Sequence, residues 1–126
     1  MAKKTTIVLV DDHAVVRAGV RRLLEQEPLF EVIGEAESGE KAYQILAELK
    51  PDVMVMDLSM PVMDGYEATS IIRRDDKLIP IIALTASASF GYLDRALQIG
   101  INEYIIKPFN PKELNMKLKK YYQPNL

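Results

Sequence analysis

Asp52-Val53-Met54-Val55-Met56-Asp57-Leu58-Ser59-Met60-Pro61 sets four apolar residues between two aspartates and ends on a turn-forming proline. A run this short and this apolar suits a strand buried on both faces better than a helix. Asp57 falls at the carboxyl end of that strand. A charge there is costly unless something compensates it. In an open parallel sheet the same edge is where ligands bind, so the fold and the chemistry both turn on what surrounds Asp57.

Working outward, the chain alternates short apolar runs with helical periods. Thr6-Ile7-Val8-Leu9-Val10 reads as a buried strand that ends in Asp11-Asp12-His13. Val16, Val20, Leu23 and Leu24 then recur near helical spacing up to Pro28. Phe30 to Ala36 is a second strand, charged enough for a sheet edge. Ser38-Gly39 opens a helix through Ala42, Ile45, Leu46 and Leu49, which Pro51 stops. Beyond the Asp57 strand, Asp64 with Glu67 forms a capping-box pattern at the head of a third helix through Ile71 and Ile72. Ile79 to Leu84 is a fourth strand, ending at Thr85. A fourth helix carrying Leu93, Ala96 and Leu97 closes at Gly100. Glu103 to Ile106 is the fifth strand and leads into Lys107-Pro108. Asn110-Pro111-Lys112-Glu113 then starts a last helix carrying Leu114, Leu118 and Tyr121, which Pro124 terminates.

Five strands alternating with five helices predict an α/β fold, a doubly wound parallel sheet in a three-layer sandwich. The first, third and fourth strands are the most apolar and should be central. The second and fifth carry charge and should be edges. Strand order 2-1-3-4-5, the flavodoxin-like order, follows.

Composition narrows the classes. The chain has 126 residues, 48% hydrophobic and 27% charged, with a formal net charge of -2. That size and apolar content suit a single domain over residues 1–126. It lacks the basic excess of nucleic-acid binders. It has no cysteine, which excludes disulfides and thiol chemistry. The first residues do not have the form of a signal peptide, and no stretch is long enough to span a membrane. The expectation is a cytoplasmic location.

A parallel sheet puts all strand carboxyl ends on one side, so Asp11, Asp12, Asp57, Thr85 and Lys107 should converge. Three neighbouring carboxylates repel and raise one another's pKa unless a cation is present. One lysine is not enough. Mg2+ suits one or two direct carboxylates completed by water and phosphate. A carboxylate beside Mg2+ and an ammonium is placed to attack phosphorus, with Thr85 donating to a phosphoryl oxygen. Singly, each residue has an ordinary reading: Asp12 as a helix cap, Asp57 as a turn aspartate, Thr85 as a turn residue, Lys107 as a surface lysine. Five such residues at successive strand ends carry more weight than any one of them.

With Asp11-Asp12, Asp57, Met60-Pro61, Asp64-Gly65, Thr85-Ala86 and Lys107-Pro108-Phe109 in place, the whole chain resembles the CheY-like receiver domains of two-component response regulators. The resemblance implies that Asp57 is the phosphoacceptor and that the donor is the phosphohistidine of a histidine kinase or its phosphotransfer domain. It implies Mg2+ held by Asp12, Asp57 and the Ser59 backbone carbonyl, with Asp11 acting through water. It implies that Lys107 and Thr85 contact the phosphoryl group and that Lys107-Pro108 is cis. Tyr104 matches the family's aromatic switch, although an edge-strand aromatic packed on its neighbours would read the same way. Ser59 and Ser87 sit where the family tunes phosphoryl lifetime. Relatives dimerise or bind partners through the fourth helix, fifth strand and fifth helix. No nucleic-acid or membrane contact is expected of this domain, and the resemblance fits either a stand-alone receiver or part of a hybrid sensor kinase. His13 reads as an exposed helix-start residue, with an internal phosphodonor or base as the sharper reading. Lys112, Lys117, Lys119 and Lys120 read as a solvated basic face.

The expected activity is a signalling phosphoacceptor that catalyses its own phosphorylation and slow hydrolysis and is no metabolic enzyme. Three alternatives stand beside it. An aspartyl-phosphate phosphohydrolase usually carries a second acid two residues after the nucleophile, where this chain has Ser59. A flavin or nucleotide binder needs an amide-rich loop after the first strand, where Asp11-Asp12 would repel phosphate. A nonphosphorylated binding module typically lacks one of the five residues, and all five are present.

Overall fold

Ile7–Val10, Val53–Met56 and Ile81–Leu84 are at most 2% exposed, as strands covered on both faces must be. The computed structural model describes residues 4–58, 65–85, 94, 95 and 97–121. In chain order the elements are β1 (Thr5–Val10), α1 (Ala14–Glu25), β2 (Phe30–Ala36), α2 (Gly39–Leu49), β3 (Val53–Asp57), α3 (Gly65–Asp75), β4 (Ile81–Thr85), β5 (Glu103–Ile106) and α4 (Pro111–Lys119). The sheet order is β2-β1-β3-β4-β5, with every pair parallel. Asp94, Arg95, Leu97 and Gln98 are helical, in keeping with the expected helix before β5; Leu93 and Ala96 lie outside the described residues.

The pleat sorts the core into two halves. On one face Val8, Met54, Met56 and Ala83 pack with Ala42 and Leu46 of α2 and Ala68 and Ile72 of α3. On the other, Leu9, Val55 and Leu84 pack with Val20 and Leu24 of α1 and Leu114 and Leu118 of α4. Register keeps the strand ends level: Val10 pairs with Met56, Met56 with Ala83 and Ala83 with Tyr104. The residues that follow this row therefore emerge side by side at one edge of the sheet.

Local chemistry explains the helix ends. The Ser38 hydroxyl accepts from Lys41 N at 3.2 Å, and the Asn110 side chain accepts from Lys112 N at 2.8 Å with Pro111 at the first helical position. Gly100 has φ +109, the conformation in which a glycine closes a helix cheaply. A side chain at Gly65 would come within 2.9 Å of the Asp57 carbonyl and 2.8 Å of Leu58 Cα. Glycine therefore lets the head of α3 sit against the end of β3. The Asp64 cap expected there lies outside the described residues, as do Met60-Pro61 and Pro124.

Some expectations need correction. β4 begins at Ile81, two residues late. Pro80 has no N–H to give a ladder; it contributes its carbonyl to Met54 N at 2.9 Å, and Ile81 N donates to the Asn102 side chain. Val16 and Leu49 are 42% and 38% exposed rather than core residues. The first turn of α1 borders the strand-end loops, and there Arg17, not Val16, turns inward. Tyr121 lies beyond the end of α4, where it packs on the core and its hydroxyl donates to Glu103 at 2.5 Å.

Candidate functional site

β1, β3, β4 and β5 deliver Asp11, Asp57, Thr85 and Lys107 to the same edge. Asp57, Asp11 and Thr85 are buried. Lys107 N donates to the Thr85 carbonyl at 2.7 Å, which ties the exit of β5 to the end of β4. The Lys107-Pro108 peptide is cis. Lys107 Nζ lies 3.3 Å from Asp57 Oδ2, one buried carboxylate facing one partly exposed ammonium.

The acids gather around Asp57. Ligand atoms from Asp11, Asp12, His13 and Asp57 all lie within 4.8 Å of one another. Asp11 is held through one oxygen: Oδ1 accepts from His13 N at 2.8 Å. Its Oδ2 is buried and has no hydrogen-bond donor among the described residues. Burial pushes the Asp11 carboxyl above its ordinary value. The His13 N–H bond pulls the other way, Asp57 and Asp12 add to the rise, and Lys107 offsets part of it. A buried acceptor without a donor, inside a ring of like charge, is the chemical signature of a cation site. Oxygen donors with two or more carboxylates suit a hard divalent ion. The residues therefore fit a metal.

The ordinary reading of Asp12 as a helix cap fails. The N-cap of α1 is His13, which makes no side-chain cap bond. Asp12 instead keeps its carboxylate in the cluster, with Oδ1 3.1 Å from His13 Nδ1. His13 is exposed, as expected for a helix start, but its ring also borders the acids, 3.6 Å from Asp11 Oδ1. That placement was not legible beforehand, because an Asp-Asp-His run gives no hint of which way the imidazole turns. Arg17, one of the polar positions of α1, gives no local signal of its contacts either. Its guanidinium donates to the Asp11 backbone carbonyl at 2.6 Å and to Glu35 Oε1 at 2.8 Å.

Tyr104 stands further out on edge strand β5, half-buried against the α2–α3 side of the core. Lys117 Nζ sits 5.6 Å from its ring centroid and donates to its carbonyl at 2.8 Å. Lys119 pairs with Glu27 and Lys120 with Glu103. Three of the four lysines of the last helix thus have partners within the chain, which favours the solvated-face reading. Ser59 and Ser87 lie outside the described residues. Among the described residues no helix is long and apolar enough to cross a membrane.

Comparison with known proteins agrees with this geometry. Residues 7–119 match the family model of the response regulator receiver domain. Response regulator protein VraR of Staphylococcus saprophyticus is 36% identical over 92% of this chain and 56% of its own length. VraR of Staphylococcus aureus is 39% identical over 90% of this chain and 54% of its own length. The chain thus spans about half the length of these relatives. The crystal structure of a LuxR-family two-component response regulator from Aurantimonas superposes with a TM-score of 0.89 at 36% identity, covering 94% of this chain and 84% of that one. In sequence, in strand order and in the residues gathered at the sheet edge, this chain belongs to the response regulator receiver domain family.

Proposed function

We propose that this receiver domain takes a phosphoryl group onto Asp57 from the phosphohistidine of a histidine kinase or its phosphotransfer domain. One observation carries the reading: the buried Asp57 carboxylate lies 3.3 Å from Lys107 Nζ and belongs to the acid cluster with Asp11 and Asp12. An Asp57 oxygen attacks phosphorus and forms the P–O bond of an acyl phosphate. The P–N bond to the donor imidazole breaks, and the leaving nitrogen keeps the electron pair. Lys107 offsets the charge on the transferring oxygens. Thr85, at the end of the adjacent strand, is the hydroxyl donor for one of them. In this reading the domain catalyses its own phosphorylation and slow hydrolysis and is no metabolic enzyme.

Mg2+ is the metal this reading requires. When bound it neutralises phosphoryl charge. Asp12 and Asp57 would hold it directly and Asp11 through water, with the carbonyl of Ser59, outside the described residues, completing the protein donors. Incubation with Mg2+ and a small acyl phosphate is expected to add one phosphoryl group by intact mass. Asp57→Asn should add none, and an adduct of equal yield in that variant would remove Asp57 from the role.

The output surface we assign is the edge formed by β5, α4 and the helical segment before β5, with Tyr104 as its moving part. A ligand shifts such an equilibrium only by contacts that differ between the states, and a Thr85 bond to the phosphoryl group supplies one. A second copy or a partner protein would dock on that edge. With beryllium fluoride as the phosphoryl mimic, amide exchange should change between Ser87 and Lys107. Changes confined to the surroundings of Asp12 and Asp57 would place the output elsewhere.

A further inference from the structure

The acid cluster is braced from outside by a charged chain that the phosphoacceptor reading does not use. Arg17 enters α1 through its own N–H, which donates to the His13 carbonyl at 2.8 Å. Its side chain then folds back toward the strand end. One terminal nitrogen donates to the Asp11 carbonyl at 2.6 Å, while Nε donates to Glu35 Oε1 at 2.8 Å. Arg21 holds the other oxygen of Glu35 and is itself bonded to Glu25 at 3.0 Å. Burial pushes the Glu35 carboxyl up, but its bonds from Arg21 and Arg17 outweigh that and hold it below the usual carboxylate range.

Consider Asp11 in this setting. Its N–H donates to the Ala36 carbonyl of β2 at 3.0 Å. Its C=O is taken by Arg17, which Glu35 of the same strand anchors. Its Oδ1 accepts from His13 N. Backbone and one carboxylate oxygen are thereby fixed from three directions, and the remaining oxygen, Oδ2, is left buried and without a donor among the described residues. Simple docking of α1 on the sheet would not require a cation here. Leu9, Val10, Val20, Val55 and Leu84 line the space next to Arg17, and an apolar side chain would fill it at lower desolvation cost.

We infer that Arg17 is a positioning residue for the metal site: by bridging the Asp11 carbonyl to Glu35 it holds the Asp11-Asp12 turn in the geometry that binds the cation. The bridge needs the guanidinium fork, because an ammonium on a flexible stem cannot reproduce two bonds in fixed directions. Partners that orient metal ligands from behind are typically worth about 10–100-fold in metal affinity.

The test is calorimetric titration of the chain with Mg2+. Arg17→Met keeps the apolar stem and removes both bonds; its Mg2+ Kd is expected to rise about tenfold or more. Arg17→Lys should recover only part of the loss. Arg21→Met breaks an equally charged contact with Glu35 but does not touch Asp11, and its Kd should match the wild type within about twofold. Should Arg17→Met lack a cooperative melting transition, Arg17→Lys and Glu35→Ala carry the same comparison, each with weaker Mg2+ binding expected. A metal-free melting temperature lowered equally in Arg17→Met and Arg21→Met, with Mg2+ affinity unchanged in both, would make Arg17 merely structural and overturn the inference. The inference rests on the metal reading above, yet the two fail differently. A wild-type chain that binds no Mg2+ contradicts the metal reading, whereas wild-type binding that Arg17→Met retains contradicts only the role of Arg17.

Discussion

Lys107→Met is expected to slow phosphorylation of Asp57 by a small acyl phosphate about 100- to 1000-fold, the usual cost of removing one preorganised group that meets charge in the transition state. Lys107 Nζ is 3.3 Å from Asp57 Oδ2, and the lysine backbone is bonded to the Thr85 carbonyl. The ammonium therefore reaches the reacting carboxylate from a fixed base. Methionine preserves the length and the apolar part of the stem. It removes the charge that would meet the incoming phosphoryl oxygens. The same substitution should not weaken Mg2+ binding, since it removes a positive charge from the neighbourhood of the cation. A stopped-flow rate within about threefold of wild type would put the charge stabilisation elsewhere. A rate loss accompanied by lost Mg2+ affinity would mean that Lys107 organises the site instead of acting in transfer.

The second large effect concerns stability. Asp11 is buried beside Asp12 and Asp57, and its carboxyl is pushed above the ordinary value, chiefly by burial. The folded chain thus holds the Asp11 proton more tightly than the unfolded chain does. As pH rises from the ordinary value through the raised one, the native state must give up that proton at a cost, and stability falls. Above the raised value the Asp11 charge is expected to oppose the metal-free fold, and a divalent cation to relieve it. Mg2+ at about ten times its Kd should contribute about 1.4 kcal/mol, a rise in Tm of roughly 5 °C for a domain of this size. Asp11→Asn should melt higher than wild type in the absence of metal at neutral pH, by up to about 1 kcal/mol. That advantage should shrink in acid, where wild-type Asp11 is protonated, and the variant should gain less from Mg2+. Scanning calorimetry across pH with and without Mg2+ decides it. A metal-free Asp11→Asn protein less stable than wild type at neutral pH would mean that the Asp11 charge is already compensated within the fold.

Most of the architecture was legible because each decisive residue sits at the end of a strand whose own apolar run announces it. Val53 to Met56 marks a central strand without help from elsewhere, and Asp57 follows from it. Edge and central strands separated on charge alone, as the order β2-β1-β3-β4-β5 bears out. What stayed hidden depends on contacts between segments. Arg17 falls among the polar positions of α1, and nothing local says that it turns toward Asp11 and Glu35, six and eighteen residues away. His13 reads as a helix start and is one, but the direction of its ring is set by the acids beside it. Val16 obeys the helical period yet lies exposed, because the period fixes a face and not what covers that face at the end of a sheet.

Asp57 is the residue proposed to carry the phosphoryl group. After reaction with an acyl phosphate and Mg2+, borohydride reduction converts an aspartyl phosphate to homoserine, and peptide mass mapping locates it. A single converted position is expected, Asp57, with none in a sample to which a chelator was added before the donor. Conversion at Asp11 or Asp12, or a phosphoryl group that resists reduction and maps to His13, would contradict it.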